Sequence, residues 1–143
     1  MEMKFGKDTY AIALICIIGI LLILGLSWQS DPNLKGLPFI PSWLYNWTDS
    51  YKNATIRTAV PFVGLSLIIG IWLSLKKASF NKFILAWFIL IGVVVLAELG
   101  QYFIPSRDAD IKDVFWGMVG SFIGLGIMLA TNLLTRLFRL KSK

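Results

Sequence analysis

The sequence contains no histidine. That excludes every catalytic triad that uses imidazole as its base and every metal site that needs a histidine ligand. There is one cysteine, Cys16, so no intrachain disulfide can form. It lies inside an apolar run and reads as a small apolar residue rather than a nucleophile. Charge is also scarce: 15% of residues are Asp, Glu, Lys or Arg, against about a quarter in an ordinary soluble domain. Such a chain lacks the charge to cover a water-facing globule. Internal repeats and low-complexity segments are missing too, and no cofactor-binding motif is present.

What the chain has in quantity is apolar surface. Of its 143 residues, 57% are hydrophobic and 14% aromatic, with six tryptophans, and the mean hydropathy is +0.72. Four apolar runs are visible, at residues 10–28, 58–75, 83–104 and 113–134. A bilayer core of about 30 Å needs about 20 helical residues, so each run has spanning length. The expected fold is all-α: an integral membrane four-helix bundle forming one domain over residues 1–143. The first run follows Lys4 and Lys7 as a signal peptide would. It is longer than a usual signal core and has no small-x-small cleavage site after it, which favours a retained helix.

The connections differ in character. Residues 29–57 form a polar loop with Pro32, Pro38 and Pro41, followed by Trp43, Tyr45, Trp47 and Tyr51. Proline at this spacing discourages a long helix, and the aromatics suit a membrane–water interface. Asn46-Trp47-Thr48 and Asn53-Ala54-Thr55 fit the N-glycosylation pattern, a short motif that recurs by chance. With the N-terminus inside, nine Lys and Arg fall on inner segments and five on outer ones. The positive-inside rule then puts both termini in the cytoplasm of a multi-pass protein of the cell membrane. The net charge of +6 lies mostly beside the apolar runs. It reports topology and contact with membrane lipids, above all at the basic amphipathic end Arg136 to Lys141, and not nucleic-acid binding. Nothing in the pattern points to a particular protein partner.

The polar residues needing explanation lie in residues 98–124. Glu98 and Gln101 are three apart and share a helix face. Glu98 stands six residues before the expected end of its run, about 9 Å inside the boundary at 1.5 Å per residue. An ionisable group at that depth must face the bundle or a wet pocket, and is by default a candidate site. Arg107, Asp110 and Asp113 follow in the adjoining connector. Two readings stand side by side. In one, the acids favour the helix N-terminus and Arg107 neutralises buried carboxylates. In the other, Glu98, Gln101, Arg107, Asp110 and Asp113 form a ligand site. Gly117, Gly120, Ser121 and Gly124 fall on or near one helix face. Gly120 and Gly124 make a G-x-x-x-G pair, a helix-packing motif. It is expected to draw the fourth run against the third.

This stretch resembles the VanZ-like family of small bacterial membrane proteins. The pattern is Glu98, Gln101, Pro105, Arg107, Asp110, Asp113, Gly120 and Gly124. There are departures: Gly117 stands where many family members carry Asn. No histidine opens the second run, where Arg57 and Pro61 stand instead. The resemblance implies a functional site on the outer face. It also implies a link to the low-level resistance to the glycopeptide teicoplanin for which the family is named.

Three functions are compatible with these residues. The first is a cell-envelope binding protein whose Arg107 pairs with an anionic group of a lipid or cell-wall precursor. The second is a membrane-embedded enzyme acting on a phosphate-containing lipid-linked substrate. There the carboxylates hold a cation, or Glu98 serves as acid or base. The third, a small transporter, finds little support because Glu98 is the only deep charge. No metal and no cofactor are assigned.

Overall fold

A computed structural model describes residues 7–31, 33–35, 37–38, 40–54 and 56–141. Lys4, Pro32, Thr55 and Lys143, used in the sequence argument, lie outside the described residues. So do the side chains of Lys7, Arg136, Arg139, Leu140 and Lys141.

The structure is helical throughout its regular elements: α1 (Lys7–Ser27), α2 (Ser42–Thr48), α3 (Ala59–Leu75), α4 (Phe80–Gln101) and α5 (Ile111–Lys141). Four helices, all but the short α2, are long and apolar enough to cross a membrane. Their outward faces carry Leu14, Ile18 and Leu21 on α1, Ile68 and Ile71 on α3, Leu85, Phe88 and Leu96 on α4, and Phe122 and Ile127 on α5, all exposed. Apolar patches this continuous are foreign to a protein in water. In lipid they are the expected solvent-facing surface.

Phe62 and Leu65 of α3, Leu90 and Val94 of α4, and Leu125 of α5 form the buried core. Burial of apolar side chains drives little association inside lipid, so close backbone packing must contribute. The small residues of α5 supply it. A Cβ on Gly120 would collide with the carbonyl of Ala59, and one on Gly124 with the Ser66 hydroxyl and, at 2.7 Å, the Val63 carbonyl. Both glycines thus seat α5 on α3. The expectation that the pair draws α5 against α4 is corrected: a motif of small residues permits close approach but does not name the neighbour. Gly117 alone faces α4, where an added Cβ would lie 2.7 Å from Val94. Ser66 and Ser121 are fully buried in this seam. Their hydroxyls donate to carbonyls of their own helices, Val63 and Gly117, each at 2.9 Å. They add no bulk and leave no unsatisfied group.

Helix α1 is peripheral. Among its described side chains only Thr9 is buried, while Cys16, Ile20 and Ile23 rest half-buried against the core. Its C-terminal end is fastened more firmly. The Trp28 indole donates to the Ala97 carbonyl at 3.1 Å and lies over Gly100, where any Cβ would meet the ring. The Ser27 hydroxyl accepts the Gln101 amide at 2.7 Å.

At the other end of the bundle, α3 closes in a Schellman turn. Lys77 is left-handed (φ 51), and the N–H groups of Lys77 and Ala78 reach the Ser74 and Leu73 carbonyls. This double bond to the last carbonyls is what permits a four-residue connector to α4.

Candidate functional site

The polar residues gather where α1 and α4 end and α3 and α5 begin. The sequence run carrying Glu98 was expected to stay helical to residue 104, but α4 stops at Gln101. Pro105 explains this: it disfavours helical backbone at the preceding residue and lacks the N–H to continue the ladder. The chain leaves through tight turns, with Phe103 N–H on the Gly100 carbonyl and Ile104 N–H on Gln101. Glu98 therefore occupies the last helical turn, about 4.5 Å from the helix end at 1.5 Å per residue.

Glu98 and Gln101 are nevertheless buried, at 7% and 4% exposure. The Glu98 carboxylate accepts the Gln101 amide at 3.3 Å on one oxygen and the Asp110 backbone N–H at 3.1 Å on the other. Asp110 is the N-cap of α5, its carboxylate accepting the Lys112 N–H at 2.9 Å. A side-chain oxygen bonded to the second helical N–H is the usual capping geometry. One carboxylate of α4 thus holds the residue that starts α5.

Asp113 lies in the first turn of α5 and accepts a hydrogen bond from the Thr58 side chain. Arg57, just before α3, acts on it electrostatically and donates to the Thr48 carbonyl at 3.4 Å. Arg107 sits between Glu98, Asp113, Asp31 and Arg57. Burial pushes its guanidinium below the usual arginine value and Arg57 adds to this, while the three carboxylates pull it back up. A guanidinium remains charged despite such opposition.

These groups line one cavity of about 300 Å³, at the lower end of ordinary ligand pockets. Glu98, Gln101, Arg107 and Asp113 face it, joined by Ser27, Thr48, Arg57 and Thr58. Asp110 is not on the lining and serves as the helix cap. Apolar walls come from Ile23 and Leu26 of α1, Val60 and Phe62 of α3, Val94 and Ala97 of α4, and Trp47 of α2. The loop is folded over the cavity by Asp49, which accepts the N–H groups of Leu34 at 3.0 Å and Lys35 at 3.2 Å. Among the described residues, no three Asp, Glu, His or Cys side chains converge closely enough to hold a metal ion.

Sequence reasoning did not place Arg57 or Thr58 at the site. Arg57 carried a usable signal: a cation at the start of an apolar helix opposes the helix dipole and calls for a nearby anion. The short helix α2, which brings Trp47 and Thr48, was masked by the prolines around it.

Four apolar spans with a charged cavity at one end of the bundle define a multi-pass helical membrane protein. The chain belongs to the VanZ/LLP1 family, whose family model matches residues 9–135. Searches of curated proteins and of solved structures found no match.

Proposed function

We propose that this VanZ-like protein binds the phosphate-bearing head of an amphiphile, a lipid or lipid-linked cell-wall precursor, at the outer face of the bacterial cell membrane. The observation that carries this reading is the single cavity in which Arg57 and Arg107 adjoin apolar walls from three spans. Guanidinium groups match phosphate oxygens through paired N–H donors. The apolar walls suit the first part of a hydrocarbon tail. Altered display of a cell-wall precursor would connect such binding to teicoplanin resistance.

The orientation is part of the proposal. Nine inner against five outer Lys and Arg residues favour cytoplasmic termini and so an extracytoplasmic cavity. A reporter active only in the cytoplasm, fused after Lys143, is expected to be active; an inactive but expressed fusion contradicts the orientation.

The binding test is retention of phosphate lipids by the purified protein, counted by native mass spectrometry. Arg107→Ala is expected to weaken retention about 10- to 100-fold, the loss of a charge-assisted bond of about 1.5–3 kcal/mol. Unchanged retention by a folded Arg107→Ala protein refutes the phosphate assignment.

A further inference from the structure

The phosphate reading uses only half of the charge in the cavity. Arg57 and Arg107 share the lining with Glu98 and Asp113. Two further acids act from just outside it: Asp31 on Arg107, and Asp110 on both lining carboxylates. Cations are therefore matched or outnumbered. A purely anionic head would draw the arginines from their carboxylates and leave those acids facing one another in a poorly solvated space. Buried charge without a partner is costly.

A head carrying both signs avoids this cost. Its phosphate takes the guanidinium side, and its cation takes the place of the arginines beside the acids. The net charge of the site does not change. The chemistry of the acids also selects the kind of cation. Each Glu98 oxygen accepts one bond from Gln101 or Asp110, and a carboxylate oxygen has room for a second. A primary ammonium brings three N–H donors to such acceptors, whereas a quaternary ammonium brings none.

Resting on the phosphate reading, we propose that the ligand head is a phosphate joined by a short linker to a primary ammonium, the chemistry of phosphoethanolamine. The phosphate lies against Arg57 and Arg107, and the ammonium between Glu98 and Asp113. The same chemistry occurs in a membrane lipid and in a free solute. Apolar side chains from α1, α3 and α4 favour the lipid.

The test uses the full chain in nanodiscs with equal mole fractions of phosphoethanolamine, phosphocholine and phosphoglycerol lipids of matched acyl chains, with retained lipid counted by native mass spectrometry. The phosphoethanolamine lipid is expected to be retained at least about tenfold over each of the others, the worth of roughly one charge-assisted bond. Equal or greater retention of the phosphoglycerol lipid overturns the ammonium assignment and leaves the phosphate reading intact. Equal retention of the phosphocholine lipid also overturns it, because donor N–H groups are then not read. Retention of none of the three overturns the phosphoethanolamine head and confines the phosphate reading to lipid-linked cell-wall precursors. The unmodified protein decides these outcomes, so they do not depend on a variant that folds. In the paired variant Glu98→Gln with Asp113→Asn, the preference over phosphoglycerol is expected to vanish; its persistence in a folded protein counts against the placement. Displacement of bound lipid by soluble phosphoethanolamine supports the head chemistry with the free solute as a sufficient source. Its failure, with phosphoethanolamine lipid still preferred, supports the lipid as the source.

Discussion

Gly120→Ala is expected to destabilise the bundle by about 2–3 kcal/mol, although alanine is the better helix former by about 1 kcal/mol. The added methyl would enter the space held by the Ala59 carbonyl, and its nearest contacts are all backbone. Backbone cannot rotate away as a side chain can, so α3 and α5 must separate. Gly126 supplies the control on the same helix, since a Cβ there meets no heavy atom within 4 Å. Gly126→Ala should stabilise by up to about 1 kcal/mol, because helix propensity acts there unopposed. Reversible denaturation in one detergent checks both, with helicity as the signal. Equal gains from the two would show that helix propensity, and not the α3–α5 seam, sets stability.

The second large effect separates the two readings of Glu98. Glu98→Leu removes the acceptor for the half-buried Asp110 N–H and for one of the two N–H groups of the buried Gln101 amide, which keeps its bond to Ser27. Leaving these N–H groups without their acceptor should cost about 2 kcal/mol in all. Glu98→Gln keeps one carbonyl oxygen and the side-chain shape, so its cost should stay near 1 kcal/mol. Lipid retention should nevertheless fall in Glu98→Gln, because the charge that faces the ligand is gone. Stability loss in Leu with full retention in Gln would make Glu98 a brace between α4 and α5 and nothing more.

The four spans were legible because membrane thickness imposes a length on apolar runs, and each of the four runs meets it. Their ends were less legible. Residues 102–104 are apolar enough to extend α4, and only the stereochemistry of Pro105 shows why they do not. The packing partner of Gly120 and Gly124 was hidden for a different reason: small residues allow contact with any helix, and the choice of α3 depends on geometry spread over the whole bundle. Glu98, Gln101, Arg107 and Asp113 were visible as polar groups out of place in an apolar context, and the fold brings all four to one cavity. Arg57 reaches them from a distant part of the chain, through a loop whose shape rests on Asp49 and Thr48. No local pattern encodes that approach.

The fastening of α1 bears on how the protein is made. Trp28 and Ala97 are 69 residues apart, and Ser27 and Gln101 are 74 apart. The first span can pack early against α3, where a Cβ on Gly19 would touch Leu65, but the fastening of its end must wait while most of the chain is synthesised. The cavity also needs Arg107 and Asp113, which precede or open the last span. Binding competence thus arrives late: a nascent chain with three spans inserted can close the fastening of α1 on α4 but lacks the full set of charges. A chain ended between Gln101 and Arg107 should yield a membrane-inserted but ligand-blind product.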